Sequence, residues 1–121
     1  GAHIIAILGS CGERDRGKRP IMGGIVSSRT DIVILTNEDP YHEDPERIID
    51  EIEGGIVGKT KGENWFRISD RREAIAKALA LATPGDIVVI TGKGAETTMA
   101  IGDARLPWSE RRVIEEELEK L

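Results

Sequence analysis

The chain lacks most of the features that mark secreted, membrane-spanning and nucleic-acid-binding proteins. Its one cysteine, Cys11, excludes an internal disulfide framework and suits a reducing compartment. No apolar run approaches the roughly 18 residues of a membrane span, and the Gly-Ala-His start lacks the basic region and cleavage site of a secretory leader. The 17 Lys and Arg against 22 Asp and Glu leave a net charge of -5, without the basic surplus that nucleic-acid binding requires. We therefore expect no membrane and no nucleic-acid partner.

Aromatic residues are also scarce, at 3% against 39% hydrophobic residues overall, so aliphatic side chains must build the core. A length of 121 residues indicates one domain, 1–121, that can bury a core without disulfides or metals. The first apolar run begins at Ile4, and a native protein rarely starts so close to a core strand. We therefore expect these residues to be an excised or truncated piece of a longer protein.

Three apolar runs, at residues 4–8, 32–36 and 87–91, have the length and β-branched enrichment of strands. Each run is nearly continuous, which is typical of strands buried on both faces of a parallel sheet. Residues 65–68 form a fourth, shorter candidate, and residues 97–105 have a hairpin-like pattern. Because helical segments alternate with the strands, the pattern predicts an α/β fold: a Rossmann-like three-layer domain with a mainly parallel sheet flanked by helices.

Four helices are predicted from their start signals. The first covers residues 20–28, and the second begins at Pro45 after the cap Asp44. The third covers residues 74–82, after the capping pair Asp70 and Glu73, and the fourth begins after the cap Ser109. In the last helix we expect Val113, Ile114 and Leu118 to face the core and residues 115–117, all Glu, to face water.

The loop after the first strand carries the densest cationic charge in the chain. Residues 12–18 match GxxxxGK, the beginning of a phosphate-binding loop, but Arg19 replaces the Ser or Thr that would bind magnesium. Carboxylates at Glu13 and Asp15 would also enter a phosphate cradle. A second interpretation is an anion site, and a third is a solvated turn with internal ion pairs. The cations available to an anion are Arg14, Arg16, Lys18 and Arg19.

The loops after the second and fourth strands carry acidic and glycine-rich segments. Asp44 has a structural explanation as a helix cap, whereas Glu38, Asp39 and Tyr41 do not, and two adjacent carboxylates suit an ammonium group. In the later loop, residues 92–96 read GKGAE, where glycines permit close backbone approach. We predict no metal site, because no Cys or His partners stand at ligand spacing. We also predict no catalytic residue, because no nucleophile–base arrangement is visible.

Taken together, these segments resemble the C-terminal domain of the Mur ligases, and within that family the ligases that add the third residue of the peptidoglycan stem peptide. The segment at 12–23 is similar to the family's G-x-DRD-x-GKRP-x-MG stretch. Further similarities follow in the same order, to the family's T-x-DNPR-x-EDP segment at 37–45, its D-R-x-x-A-I helix at 70–82, its GKGHE at 92–96 and its turn into the last helix at 108–111.

The resemblance implies a Rossmann-like domain of an ATP-dependent amide ligase in the bacterial cytoplasm, active in cell-wall biosynthesis. It implies that Arg14 clamps a carboxylate of the incoming diamino acid, that Glu38, Asp39, Pro40 and Tyr41 occupy the selectivity motif, and that Gly92 and Glu96 contact the amino acid. It leaves Arg16, Lys18 and Arg19 as phosphate or nucleotide contacts. ATP with Mg²⁺ would bind mainly to a central domain, and the UDP-MurNAc-dipeptide acceptor to domains outside this sequence. We therefore expect a monomeric chain that holds no cofactor and has no ligase activity alone.

The sequence departs from the family pattern at two places. The family's DNPR reads Glu38-Asp39-Pro40-Tyr41, so the Arg that grips the side-chain carboxylate of meso-diaminopimelate is replaced by Tyr41. The added negative charge favours a side-chain ammonium, as in lysine. GKGHE reads GKGAE, so the family's His is absent. Two alternatives stay open: a stand-alone, non-catalytic module that binds a small ligand, and a ligase domain of the folylpolyglutamate type.

Overall fold

The computed structural model describes residues 3–9, 16–91, 98–101 and 103–121. Helices alternate with strands over most of this length, as the sequence pattern predicts. The elements are β1 (Ile4–Leu8), α1 (Lys18–Arg29), β2 (Ile32–Leu35), α2 (Pro45–Glu53), β3 (Trp65–Arg67), α3 (Arg71–Leu81), β4 (Ile87–Ile90), β5 (Thr98–Ile101), β6 (Ala104–Pro107) and α4 (Glu110–Glu119).

Four strands form one parallel sheet in the order β3-β2-β1-β4. The central strand β1 pairs with β2 on one side, where Ile5 lies beside Ile32, and with β4 on the other, where Ile4 lies beside Ile87. The strands β5 and β6 form a separate antiparallel pair, as the hairpin-like pattern predicts. Because the four sheet strands are parallel, their carboxyl ends meet at one edge, where ligands bind in open α/β sheets.

Each face of the sheet is covered by a pair of helices, which confirms the predicted three-layer α/β architecture. Alternate residues of β1 and β2 point to opposite faces, so the nearly continuous apolar runs build two cores. One core joins Ile5, Ile7 and Ile34 to α3 and to Val113 of α4. The other joins Leu8, Val33 and Leu35 to α2, with α1 packed beside it.

Three helices begin at the caps expected from the sequence. The side chain of Asp44 accepts a hydrogen bond from the backbone N–H of Glu46, and Asp70 accepts one from Glu73. The side chain of Ser109 likewise accepts from Arg112 at the start of α4. The helix α1 instead begins at Lys18, two residues before the expected Pro20, since proline is tolerated anywhere in a first turn where no N–H donor is needed.

The orientation predicted for α4 is wrong at two positions. Leu118 is 49% exposed, whereas Glu117 is 8% exposed and lies against α3. Glu117 stands four residues after the buried Val113, and residues at that spacing share one face of a helix. Its carboxylate is compensated there, because it accepts a hydrogen bond from Arg72 at 3.3 Å and pairs with Lys120.

The strand β4 forms one border of the described sheet and is only half covered. Its side chains alternate between the core side and solvent, so that Ile87 is 54% and Val89 41% exposed. Val88 and Ile90, on the other face, pack against the core beneath α3 and α4. In the part of the chain that the structure describes, no helix is long and apolar enough to cross a membrane.

The core on the α2 side allows a direct stability test. Ile49 is fully buried, so Ile49→Ala removes apolar contacts and leaves a cavity, and we expect a loss of about 2–5 kcal/mol in the free energy of unfolding. The matched control is Ile21→Ala in α1, where the side chain is 61% exposed, with an expected change within about 0.5 kcal/mol. Urea denaturation followed by circular dichroism measures both, and equal losses would contradict the assigned core.

Candidate functional site

The candidate site lies at the carboxyl edge of the sheet, where loops leave β1, β2 and β4. The structure describes residues 36–44 after β2 in full, and Thr91 after β4. The predicted site residues Arg14, Gly92 and Glu96 lie outside the described residues. Glu38, Asp39, Pro40 and Tyr41 lie together in the described segment, which we call the β2 loop (residues 36–44).

The chain leaving β1 passes so close to the β2 loop that only glycine fits at residue 9. A Cβ placed on Gly9 would lie 2.9 Å from the carbonyl oxygen of Thr36 and 3.0 Å from Cβ of Glu38. The backbone N–H of Thr36 also donates to the carbonyl of Leu8 at 3.0 Å. The basic loop that follows Gly9 and the acidic β2 loop therefore begin side by side.

The β2 loop has an unusual backbone. Asp39 has a φ of 36° and Tyr41 a φ of 53°, which are left-handed conformations that residues other than glycine rarely adopt. Asp39 and Pro40 are buried, while Glu38 and Tyr41 are partly exposed. Strained conformations of this kind persist where the surrounding structure holds them, and they cluster at functional sites. The segment predicted to select the substrate is therefore the strained one.

A buried arginine joins the β2 loop to the end of β4. The guanidinium of Arg71, at the start of α3, donates to the carbonyl oxygen of Asn37 at 2.9 Å and to that of Thr91 at 2.6 Å. It also donates twice to the carboxylate of Glu110 in α4, from Nε at 3.0 Å and Nη2 at 2.6 Å. The indole N–H of Trp108 donates to the same carboxylate at 3.1 Å. This network ties two strand ends and two helices together.

A second buried arginine joins the β2 loop to the helices on the other face. Arg19 of α1 is fully buried, and its guanidinium forms a two-pronged pair with the carboxylate of Glu43, both bonds 3.0 Å long. It also donates to Glu51 of α2 at 2.9 Å. These hydrogen bonds, led by the one to Glu43, raise the pKa of Arg19 above its ordinary value.

The carboxylate of Glu51 accepts hydrogen bonds from both Arg16 and Arg19. Arg16 donates from Nε to its carboxylate at 3.1 Å, and this bond does most to lower the pKa of Glu51 to about 2, with Arg19 adding to the effect and burial opposing it. Arg16 and Arg19 therefore form internal ion pairs, as expected if this loop is a turn stabilised by its own charges. The two cations are engaged with carboxylates of the same chain.

The described end of the loop, at Lys18 and Arg19, does not match a magnesium-binding phosphate loop. Lys18 is exposed at the first position of α1, and Arg19, which stands where a magnesium-binding hydroxyl would be needed, is buried against Glu43 and Glu51. A buried guanidinium with two carboxylate partners cannot reach a nucleotide without breaking both pairs. We therefore assign Arg19 to the support of the β2 loop and leave Lys18 as a prediction.

No cluster of three or more His, Cys, Asp or Glu side chains within the described residues is arranged to hold a metal ion. His42 pairs with Asp103, in the turn between β5 and β6, at 2.9 Å. A depression of about 580 Å³ lies elsewhere, between the starts of α3 and α4. One of its arginines, Arg72, already pairs with Glu116 and Glu117, so this depression is not a candidate anion site.

The residues that hold the site were missed by the sequence reasoning. Arg71 and Glu110 each directly follow a helix cap, Asp70 and Ser109, and only the caps received an explanation. For Arg71 the available signal was position: the first residue of a helix that follows a strand of the parallel sheet stands beside the carboxyl edge of that sheet. The same signal does not exist for Glu110, because the strand before α4 is β6 of the separate antiparallel pair.

The chain matches the family model described as the glutamate ligase domain of Mur ligases over residues 1–94. It is 49% identical over 110 residues to a UDP-N-acetylmuramyl-tripeptide synthetase of Roseiflexus sp. (strain RS-1), covering 89% of this chain and 22% of that protein. It is 42% identical over 118 residues to a UDP-N-acetylmuramoyl-L-alanyl-D-glutamate–2,6-diaminopimelate ligase of Clostridium tetani, covering 98% of this chain and 24% of that protein.

A solved structure of a UDP-N-acetylmuramoyl-L-alanyl-D-glutamate–2,6-diaminopimelate ligase superposes with a TM-score of 0.90 at 37% identity. The alignment covers 99% of this chain and 24% of that one. The chain therefore spans about a quarter of the length of the relatives it matches, and the described sheet and helices share their fold.

The low pKa of Glu51 gives a pH test of the Arg16–Glu51 contact. Because folding lowers this pKa from 4.5 to about 2, the contribution of Glu51 to stability is present above pH 4.5 and is lost as the pH falls toward 2. We expect Arg16→Gln to move the pKa of Glu51 upward, since it removes the largest cause of the shift. NMR titration of the side-chain carboxyl carbon measures this pKa.

The control is Asp86, whose pKa is lowered to about 2 by the backbone N–H groups of Thr83 and then His3. This pKa should be the same with and without Arg16→Gln. A Glu51 carboxyl that already titrates near 4.5 in the unsubstituted chain would contradict the contact.

Proposed function

The chain belongs to the Mur ligase family, as its glutamate ligase domain, and from this premise we propose that it binds the amino acid that a longer ligase joins to a peptidoglycan precursor. The acceptor is UDP-MurNAc-L-Ala-D-Glu and the incoming residue is a diamino acid. The observation that carries the proposal is the convergence of Gly9 and the strained β2 loop at the carboxyl edge of the sheet.

The reaction explains why a domain of this kind needs opposite charges at one edge. The acceptor carboxylate takes the terminal phosphoryl group of ATP and releases ADP, and the amine of the diamino acid then displaces phosphate from the acyl carbon. The incoming amino acid must be held by its carboxylate and its side chain, with the reacting amine left deprotonated and facing the acyl phosphate. Holding the amine in place converts a bimolecular step into an effectively unimolecular one.

We assign the carboxylate clamp to Arg14, on the strength of its place in the basic loop after β1. An arginine binds a carboxylate through two parallel hydrogen bonds, which fixes both distance and orientation. Gly92 and Glu96, in the loop after β4, complete the contacts in this proposal. Lys18 is retained as a phosphate contact, whereas Arg16 and Arg19 are supported better as partners of Glu51 and Glu43.

The β2 loop sets the choice between diamino acids in this proposal. We propose that the partly exposed Glu38 faces the side-chain ammonium and that the buried Asp39 adds negative charge behind it, while Tyr41 stands at the position where the family motif carries an arginine. Without that arginine, a second carboxylate on the side chain has no bidentate cation at this position and meets added negative charge. We therefore propose lysine over meso-diaminopimelate, although two of the relatives described above are named for diaminopimelate.

ATP and Mg²⁺ would be bound by another part of the longer ligase, because Arg19 stands where a magnesium-binding hydroxyl is needed and is bound to Glu43 and Glu51. We further propose that a segment preceding this chain covers the exposed face of β4. Parallel crossovers are right-handed, so a strand added beside β4 and leading through a helix into β1 would place its helix on the α1–α2 face. That is the face on which Ile87 and Val89 are exposed.

The proposed clamp is tested in the longer ligase that contains this chain. Arg14→Ala should raise the KM for the diamino acid about 10–100-fold, since a charge-assisted hydrogen bond contributes about 1.5–3 kcal/mol. Steady-state phosphate release at varied amino acid, ATP and acceptor gives the three KM values. The control is Arg29→Ala, at the far end of α1, which should leave all three unchanged. An unchanged amino-acid KM in Arg14→Ala would remove Arg14 from the site.

The proposed selectivity is tested by comparing lysine with meso-diaminopimelate in the same assay. We expect a higher kcat/KM for lysine, and we expect Tyr41→Arg to shift the ratio toward diaminopimelate by about 10–100-fold through the restored bidentate contact. Tyr41→Phe is the matched control and should leave the ratio within about threefold. A clear preference of the unsubstituted ligase for diaminopimelate would refute the assignment of Tyr41.

The proposal that ATP binds outside this chain can be tested directly. Because Arg19 replaces the magnesium-binding hydroxyl and the chain spans only about a quarter of its relatives' length, we expect the isolated 121-residue chain to form no ATP-dependent product. Incubation with ATP, Mg²⁺, acceptor and lysine, followed by mass spectrometry, checks this. Amide product from the isolated chain would contradict it.

A further inference from the structure

Arg71 lies behind the proposed site rather than in it. Its side chain is 1% exposed, so the guanidinium does not reach solvent at the carboxyl edge. We propose that Arg71 is a positioning residue that sets the distance between the β2 loop and the loop after β4. The inference rests on the proposed function for its effect on the amino acid, whereas the positioning itself can be measured without any activity.

The two strand ends that Arg71 joins are not neighbours in the sheet. The strand β1 lies between β2 and β4, so their ends are separated by two strand spacings, roughly 9–10 Å. No ladder hydrogen bond can run directly from β2 to β4 across β1. The guanidinium bridges them by donating to the carbonyl of Asn37 from Nη1 and to that of Thr91 from Nη2.

Both carbonyls belong to the last residues before predicted substrate contacts. Asn37 directly precedes Glu38, and Thr91 directly precedes Gly92. A shift of either carbonyl therefore moves the start of a loop that is proposed to touch the diamino acid. The planar guanidinium of an arginine has fixed donor directions, so it holds two acceptors at a defined separation. The single ammonium of a flexible lysine side chain does not do this.

The ion pair with Glu110 orients the guanidinium of Arg71. Glu110 is 5% exposed and accepts from Nε and Nη2, so it fixes the plane of the guanidinium while other N–H groups point to the two carbonyls. A buried ion pair often adds little net stability compared with apolar side chains of the same volume. Orientation of the carbonyl contacts is therefore the better explanation for a charged pair at this position.

Arg67 provides a matched control for a purely structural role. It is also largely buried, at 18% exposure, and it also donates to a backbone carbonyl and to several carboxylates. Its described partners, Glu46, Asp50 and Glu53, all belong to α2. Arg67→Lys therefore disturbs a comparable network without touching the carbonyls of Asn37 and Thr91.

The first experiment measures position directly in the 121-residue chain. Arg71→Lys should shift the backbone amide resonances of residues 37–41 and of Thr91 and speed their hydrogen exchange, while the amides of β1 keep their protection. Arg67→Lys should leave residues 38–41 and Thr91 unchanged; the amide of Asn37 is left out of this comparison, because it donates to the carbonyl of Ser69, whose hydroxyl donates to Glu46. If Arg71→Lys fails to fold, Glu110→Gln serves in its place. This variant weakens the hydrogen bonds that orient the guanidinium of Arg71, so it should perturb the same amides. Equal effects of the Arg71 and Arg67 variants on these amides would overturn the proposal.

The second experiment measures the consequence in the longer ligase. Arg71→Lys should raise the KM for the diamino acid about tenfold, with the KM for ATP unchanged, because a misplaced contact weakens the step that depends on it. Arg67→Lys should change neither KM even where both variants lower Tm equally. A lowered Tm with an unchanged amino-acid KM in Arg71→Lys would overturn the proposal. If the unsubstituted ligase adds no diamino acid, the proposed function fails, and the amide measurements alone decide the positioning role.

Discussion

The hydrogen bonds of the buried Arg71 guanidinium hold the carboxyl edge of this domain together. They join the ends of β2 and β4 across the intervening β1, and the bond to Glu110 attaches α4 to the same point. A charged group in such a dry position is tolerated only while its partners remain, and loss of one partner from a buried pair costs about 3–5 kcal/mol. The docking of α4 and the spacing of the two loops are therefore coupled, since a change in either would leave the buried charge of Arg71 or Glu110 without its partner.

Arg19 imposes a similar constraint from the opposite face of the sheet. It binds Glu43 near the end of the β2 loop, whereas Arg71 binds Asn37 near its start. The left-handed residues Asp39 and Tyr41 lie between these two points, and such conformations cost about 1–3 kcal/mol each unless their surroundings hold them. The strained segment of the loop therefore lies between two anchoring contacts, each made by a buried arginine.

Local patterns in the sequence were sufficient for the fold and insufficient for the support of the site. Continuous apolar runs and the caps Asp44, Asp70 and Ser109 depend on neighbouring residues, so the parallel sheet and three helix starts were predictable. The Arg19–Glu43 and Arg71–Glu110 pairs join residues 24 and 39 positions apart, which no local pattern encodes. The error at Glu117 has another cause: helical spacing puts its side chain on the buried face with Val113, and the compensating partners Arg72 and Lys120 are not encoded in hydrophobicity.

The internal ion pairs also change how the charge of the molecule relates to its ligand. The basic loop after β1 and the acidic β2 loop were each expected to face a substrate, but Arg16 and Arg19 bind Glu51 and Glu43 instead. Part of the charge of each loop therefore holds the loops to the helices. In the proposed site this leaves Arg14 to bind the carboxylate of the amino acid and the partly exposed Glu38 to face its side-chain ammonium. A site of that size suits a zwitterion with one side-chain charge better than a polyphosphate, which requires several converging donors.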